Sequence, residues 1–139
     1  MDVSYLLMPF VAWLVAGSSK FAINSIRAKQ LAFGLIGYGG MPSNHSAIVS
    51  SMAALIAFKE GIGHPAFGVA LALAFIVLLD ANSLRRQIGK QAEAINRLQQ
   101  AHQESDAKPL RERIGHTKLE LLGGVVVGVL TAYVVFNVL

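Results

Sequence analysis

The feature that most constrains the fold is an uncharged run at the end of the chain. Residues 121–139 contain no charged side chain, and a helix of this length spans a hydrocarbon core of roughly 30 Å. Residues 65–79 form a second apolar run that ends at Asp80. Because 54% of the 139 residues are hydrophobic and only 14% are charged, we predict one membrane-embedded domain over residues 1–139.

Two further runs complete the predicted bundle. Residues 5–16 and 46–58 are each shorter than roughly 17 residues, but they reach a spanning length through their Ser and Gly flanks. No basic residue precedes the first run, so we expect a retained helix and not a cleaved signal peptide. The sequence therefore predicts an all-α, polytopic bundle of about four transmembrane helices.

The polar segments between the spans have distinct patterns. Glycines and Pro42 interrupt residues 20–44, which predicts a short helix followed by an ordered loop. Residues 106–113 are expected to form a polar loop. Residues 83–102 are predicted to form an amphipathic helix that either prolongs the third span or lies at the membrane interface. Its apolar positions recur every three or four residues: Leu84, Ile88, Ala92, Ile95, Leu98 and Ala101.

The distribution of charge predicts an orientation and a partner. Four spans place both termini on one side of the membrane and residues 20–44 and 80–118 on the other. Of twelve Lys and Arg residues, only Lys59 lies on the side of the termini, so the positive-inside rule predicts a cytoplasmic location for the opposite face. Aromatic and basic residues are not interleaved, so we expect anionic membrane lipid as the partner and not nucleic acid. The chain has no cysteine, which excludes disulfides and thiolate metal sites.

The segment 39–46 precedes an apolar helix and has the composition of an anion site. The free N–H groups and the positive dipole end of such a helix start favour an anion, and Ser43 or Ser46 would add a hydroxyl donor. An ordinary helix N-cap explains the segment equally well. His45 favours the functional interpretation, because a titratable imidazole is uncommon at the entrance of a membrane helix.

A second candidate lies at the entrance of the last span. If the helix begins near Gly115, His116 and Glu120 lie one turn apart, and the carboxylate would fix the imidazole tautomer. This arrangement suits a nucleophilic histidine. Thr117 and Glu120 also fit a capping box, in which the carboxylate binds the backbone. The two roles do not exclude each other.

Cationic residues supply the third candidate. Lys20 and Arg27 are seven residues apart and share one helix face, and Arg85 and Arg86 closely follow Asp80. Guanidinium and ammonium groups bind phosphate oxygens, although interfacial anchoring is the alternative for each residue. Asp80 is interpreted as an ion-pair partner of Arg85 or Arg86 in preference to a metal ligand.

Three weaker sequence features do not indicate a function. Gly124 and Gly128 form a Gly-x-x-x-Gly pattern that serves either internal helix packing or dimerisation. His64 and His102 have no supporting neighbours and are expected to be loop or surface histidines.

These pieces, in this order, resemble the type 2 phosphatidic acid phosphatase family. That family carries Lys, six residues, Arg-Pro; then Pro-Ser-Gly-His; then Ser-Arg, five residues, His, three residues, Asp. The first spacing is kept by Lys20 and Arg27. The second element is residues 42–45, with Asn for Gly, and the third is His116 with Glu120, with Glu for Asp. The resemblance runs from about residue 10 to 128.

The Ser-Arg element of the family is missing. Leu110 stands where its arginine would be, with Arg111 beside it, so Arg85 or Arg86 is the candidate for the missing cation. The sequence looks closest to a short, divergent bacterial branch of the family, which implies a location in the bacterial inner membrane.

The resemblance implies a mechanism and a substrate class. His116 would attack phosphorus, Glu120 would orient it, and His45 would protonate the leaving group. Lys20, Arg27, Ser43 and one of the two adjacent arginines would bind phosphate.

The expected substrate is a lipid phosphomonoester or an isoprenoid diphosphate. No cofactor is expected, with Mg²⁺ at Asp80 as the alternative, and vanadate should inhibit. A homodimer is expected from the limited burial that four short spans provide. A non-catalytic module that binds anionic lipid or a partner protein is the competing hypothesis.

Overall fold

The fold is entirely helical in the part of the chain that the structure describes. The computed structural model describes residues 3–31, 40–101 and 108–139. This confirms the predicted all-α class. The helices are α1 (Ser4–Ala28), α2 (Asn44–Glu60), α3 (Pro65–Leu79), α4 (Arg85–Ala101) and α5 (Lys118–Val138), and a π-helical turn (Asp80–Leu84) joins α3 to α4.

Within the described residues, three helical segments are long and apolar enough to cross a membrane. They are α1, α5 and the continuous helix Pro65–Ala101, which combines α3, the π turn and α4. Helix α2 has 17 residues, which is at the lower limit for a span. The large apolar side chains of α3 and α5 are mostly exposed, as expected for surfaces that face lipid. The predicted bundle of about four spans is consistent with this arrangement.

Helix α2 is the central element of the bundle and packs against α1, α3 and α5. Two of its serine hydroxyls bond to its own backbone: Ser50 Oγ donates to the Ser46 carbonyl at 2.5 Å, and Ser51 Oγ donates to the Ile48 carbonyl at 2.8 Å. The small side chains let neighbouring helices approach closely. The buried small residues are Ser46, Ala47, Ser50, Ser51 and Ala53.

The Gly-x-x-x-Gly pattern of α5 serves internal packing against α2. A Cβ on Gly124 would lie 2.7 Å from Ser46 Cβ and closer still to the Ser43 carbonyl oxygen. A Cβ on Gly128 would lie 2.5 Å from the Ala47 carbonyl oxygen. The two helices can therefore approach this closely only because both positions lack a side chain.

Contacts at one end of the bundle define the helix directions. The Tyr5 hydroxyl donates to Glu60 Oε1 at 2.7 Å, which brings the start of α1 to the end of α2. The Phe58 ring packs against Tyr133 and Phe136, with ring centroids 6.0 and 5.7 Å apart. The described ends of α1 and α5 nearest the chain termini therefore lie together, and the start of α2 and the start of α5 lie at the opposite end.

The predicted boundary after the first span was wrong. We expected a separate short helix after residue 20, but α1 continues unbroken from Ser4 to Ala28. Residues 18–28 contain neither Gly nor Pro, so nothing in the backbone stops the helix there. It ends at Lys29, which adopts a left-handed conformation with φ of 53°. Most of the glycines of the predicted loop fall in residues 32–39, outside the described residues.

The amphipathic segment prolongs the third span. Helix α4 follows the π turn without a break, so it is not a separate interfacial helix. Residues 108–114 lie alongside α4, where Asn96 binds Leu110: Leu110 N–H donates to Asn96 Oδ1 at 2.7 Å, and Asn96 Nδ2 donates to the Leu110 carbonyl at 2.8 Å. Asn96 Nδ2 also contacts Glu112 Oε1 at 2.9 Å. The described part of the predicted polar loop is therefore an ordered strap.

Candidate functional site

The candidate site begins at the first turn of α2. Ser43 is the N-cap and is fully buried, and its Oγ accepts a hydrogen bond from the Ser46 N–H at 3.4 Å. The Ser43 N–H donates to the Glu120 carbonyl at 3.0 Å. This bond ties the start of α2 to the first turn of α5, so both helix N-termini face the same region. Ser43 is therefore an ordinary N-cap residue of α2, and its backbone also connects α2 to α5 at the site.

His116 and Glu120 form the predicted pair. His116 Nδ1 lies 3.3 Å from Glu120 Oε2, and both side chains are largely buried. The same Oε2 accepts the Thr117 N–H at 2.9 Å, and Thr117 Oγ1 accepts the Glu120 N–H at 3.3 Å. The capping box and the histidine contact therefore coexist. With Nδ1–H donating to the carboxylate, the Nε2 lone pair of His116 is left for chemistry.

His45 lies next to this pair. The rings of His45 and His116 have centroids 5.8 Å apart and an interplanar angle of 60°. His45 Nδ1, Asn44 Oδ1 and Ser46 Oγ are buried and have no hydrogen-bond partner among the described residues. Unpaired buried polar atoms cost stability unless a bound group or water satisfies them. Their concentration at this helix start provides hydrogen-bonding groups that a polar ligand could satisfy.

The loop before α5 is held by the π turn. The His116 N–H donates to the Ala81 carbonyl at 3.0 Å. Gly115 has φ of 100°, and a Cβ there would lie 3.1 Å from Arg86 Cγ and 3.3 Å from Arg85 Cβ. Glycine suits this position because its backbone is left-handed and closely packed. The π turn thus fixes the position of the His116 backbone relative to Arg85 and Arg86.

The environment of His116 favours the neutral imidazole. Burial lowers the pKa of the His116 imidazole below its ordinary value, and the hydrogen bond to Glu120 opposes that decrease. The positive charge of Lys20 also lowers this pKa, the negative charge of Glu120 raises it, and the positive charge of Arg85 lowers it. The net direction is downward, so the ring is unprotonated at neutral pH. An unprotonated ring is what a nucleophilic histidine requires.

Two of the four predicted phosphate-binding cations lie near the histidines. The charges of Lys20 and Arg85 act on both His45 and His116. Arg85 Nε also lies 3.8 Å from Asp80 Oδ2, in a pair that is partly exposed. This contact is the ion pair predicted for Asp80.

The other two predicted cations are exposed. Arg86 lies against Gly115 through its Cγ, and Arg27 is in the last turn of α1. Arg111, the neighbour of the missing family arginine, is also exposed and donates from Nε to the Arg113 carbonyl at 3.2 Å. Of the adjacent pair, Arg85 is therefore the one placed beside the two histidines.

The remaining histidines lie apart from the site or outside the described residues. His64 is the N-cap of α3, and its Nδ1 accepts the Ala66 N–H at 3.2 Å. His102 lies outside the described residues. Among residues 3–31, 40–101 and 108–139, no group of three or more His, Asp or Glu side chains is arranged to hold a metal ion.

Sequence reasoning missed one polar neighbour of the site. A Cβ on Gly40 would lie 3.7 Å from Asn24 Oδ1, so Asn24 sits beside the loop that leads into α2. Asn24 is four residues after Lys20 and three before Arg27, which places all three on one face of α1. That spacing was a signal available in the sequence.

Comparison with known proteins identifies the family of the chain. A family model described as "Divergent PAP2 family" matches residues 1–131. The chain belongs to the divergent PAP2 family. It is 31% identical over 144 residues to the "uncharacterized membrane protein YuiD" of Bacillus subtilis (strain 168), covering 93% of this chain and 91% of that protein. No solved structure matches the chain.

Membership of the divergent PAP2 family confirms the resemblance drawn from the motifs. It also supports a membrane location, together with the three apolar helices and the membrane-protein relative. The residues that carried the resemblance, from Lys20 to Glu120, all fall within the matched range.

Proposed function

We propose that this protein is an integral-membrane phosphatase that hydrolyses a lipid phosphomonoester or an isoprenoid diphosphate through a phosphohistidine at His116. The observation that carries the proposal is the buried His116–Glu120 pair, at 3.3 Å, with the His45 ring beside it. One imidazole is oriented by a carboxylate and a second stands within reach of the same ligand. This is the pattern of a nucleophile with a separate acid.

The proposed steps start from neutral His116 and from a His45 that binds a proton together with the dianionic substrate. His116 Nε2 attacks phosphorus while its Nδ1–H stays bonded to Glu120, and the bond from phosphorus to the ester oxygen breaks. The leaving alkoxide takes a proton from protonated His45. A water molecule then attacks the phosphohistidine and gives a proton to His45, and the P–N bond breaks to release inorganic phosphate. Both histidines return to their starting states.

The charges of the site stabilise the phosphoryl group in the transition state. Lys20 and Arg85 supply positive charge beside both histidines, and the N-terminus of α2 supplies oriented N–H groups. Ser43 caps that N-terminus and contributes through the helix start. Arg27 and Arg86 are exposed, so we assign them to the entry of the anionic substrate and not to the reacting group.

The membrane setting favours an amphiphilic substrate. The site lies at one end of a bundle whose α3 and α5 surfaces expose large apolar side chains, so a lipid tail can remain in the bilayer while its head group reaches the cations. The excess of Lys and Arg at this end favours the cytoplasmic face of a bacterial inner membrane. No cofactor is needed for the steps above.

Phosphate release from a panel of lipid phosphates by the protein purified in detergent tests the proposal. His116→Ala and His45→Ala should each abolish release, and vanadate should inhibit competitively. His64→Asn is the matched control, because asparagine also caps a helix and this residue lies at the opposite end. Full activity in His116→Ala would refute the nucleophile. No release from any substrate, together with binding to anionic vesicles, would favour the non-catalytic lipid-binding module.

A further inference from the structure

A long continuous helix carries α4 out of the bilayer. Pro65–Ala101 contains 37 residues, which at 1.5 Å per residue is about 55 Å of helix. A hydrocarbon core of roughly 30 Å accommodates about 20 of these residues. Because α3 contains the apolar part and the site lies at its end, α4 extends beyond the membrane surface as a prolongation of α3.

An apolar stripe runs along α4 on its exposed side. The exposed fractions are 56% for Leu84, 44% for Ile88, 43% for Ile95 and 60% for Leu98. The intervals of four, seven and three residues place Leu84 and Leu98 at d positions and Ile88 and Ile95 at a positions of one heptad repeat. Ile at a and Leu at d favour parallel two-stranded coiled coils.

The residues that flank the stripe carry no charge after Arg85. Arg85 lies at the first e position and pairs with Asp80 of its own chain. The later e and g positions are Gln87, Ala92, Ala94, Gln99 and Ala101, and the cations Lys90 and Arg97 fall at c positions, away from the stripe. Arg97 is paired with Glu93 along the helix. Two identical copies can therefore approach through this stripe without bringing like charges together.

The strap of residues 108–114 leaves the stripe open while it covers the adjacent face. It packs on the buried residues Gly89 and Asn96, and a Cβ on Gly89 would strike the Glu112 carbonyl oxygen. Leu110, held by Asn96, is 44% exposed at the border. The strap thus packs against one side of α4, and its Leu110 adds apolar surface beside the stripe.

We propose that α4 pairs with α4 of a second copy in a parallel, two-fold arrangement along Leu84, Ile88 and Ile95, outside the membrane. A bilayer surface fits the stripe less well, for two reasons. Helices that lie on anionic membranes carry Lys and Arg beside the apolar face, whereas here the flanks after Arg85 are Gln and Ala. A helix that prolongs a span also points away from the plane of its own membrane. The pairing does not depend on the phosphatase assignment.

Disulfide crosslinking tests this pairing, because the chain has no native cysteine. Gln91 lies at the d position between Ile88 and Ile95 and is exposed, so Gln91→Cys leaves the apolar residues in place. Lys90→Cys is the matched control, one residue away, exposed and at a c position. In a parallel pair, two d positions approach within the reach of a disulfide, but two c positions do not.

The expected result in oxidised native membranes is a covalent dimer of Gln91→Cys and none of Lys90→Cys. Adding Ile88→Glu and Ile95→Glu should remove the Gln91→Cys dimer, and the wild type in mild detergent should have the mass of two chains. Equal crosslinking of both variants would indicate random collision and overturn the proposal, as would the absence of a crosslink in Gln91→Cys. Quenching by brominated lipids of a fluorophore attached to the thiol of Gln91→Cys would assign the stripe to the bilayer instead.

Discussion

Substituting Gly124 tests the packing that sets the geometry of the site. An added Cβ would lie 2.7 Å from Ser46 Cβ, whereas ordinary contact begins at 3.4 Å. The Ser43 carbonyl oxygen would be closer still, so the start of α5 must withdraw by about 1 Å from the start of α2, because this obstacle is backbone. We expect Gly124→Ala to reduce the free energy of unfolding by about 1–3 kcal/mol, the usual cost of overpacking.

The same displacement should impair the site more than its stability suggests. Glu120 begins the helix that must move, and its carbonyl accepts the Ser43 N–H, so a shift separates His116 from His45. A misplacement near 1 Å can reduce a rate by on the order of 10²-fold. Gly124→Ala should thus lower phosphate release by roughly that factor in protein that is still helical.

Thermal unfolding in detergent and phosphate release measure the two effects, with two alanine variants as controls. Gly68 lies in α3 with nothing within 4 Å of an added Cβ, so Gly68→Ala should be slightly stabilising, by about 0.5–1 kcal/mol. At Gly123 the obstacle is the flexible end of Met41, so Gly123→Ala should have an intermediate effect. If Gly124→Ala unfolded at the same temperature as Gly68→Ala, the close approach of α2 and α5 would be refuted.

Three further predictions concern the site and the strap. Glu120→Gln keeps a capping side chain but removes the interaction that raises the His116 pKa. The rate of phosphate release requires neutral His116, so it should decline by about 10²–10⁴-fold and the acidic limb of its pH profile should move to lower pH. A pH–rate profile with an unmoved acidic limb would contradict this. Arg85→Lys should lower kcat/KM by about 10-fold or more through loss of bidentate phosphate binding, whereas Arg86→Lys should not, and equal losses would count against the assignment. Asn96→Ala should destabilise the strap by about 1–3 kcal/mol and expose its arginines to trypsin, and cleavage no faster than in wild type would show that the Asn96 bonds do not hold it.

Much of the fold follows from hydrophobicity and helix end signals. The predicted third span, residues 65–79, matches α3, because Pro65 opens it and Asp80 ends its apolar run. The His116–Glu120 contact and the capping box were both predicted, since a spacing of three or four residues at a helix start leaves few alternatives. These contacts join residues that are close in the sequence, so their spacing alone predicts them.

Relations between elements were harder to predict. Leu79 to Arg85 form an unbroken helix through a π turn, and a shift of hydrogen-bond register leaves no periodic signal in hydrophobicity. The choice between Arg85 and Arg86 depends on that register, because adjacent residues on a helix point about 100° apart. The role of Gly124 required knowing which helix α5 packs against, and the Asn96 clamp joins residues 14 positions apart.

One carboxylate oxygen both caps a helix and orients a histidine ring. Glu120 Oε2 is bonded both to the Thr117 backbone N–H and to the His116 ring. Unwinding of the first turn of α5 therefore also releases the imidazole, and an ordered imidazole stabilises that turn in return. The secondary structure of the last span and the tautomer of its neighbouring histidine thus form a single cooperative unit, and fraying of one helical turn would release the imidazole and also the bond from the Ser43 N–H to the Glu120 carbonyl.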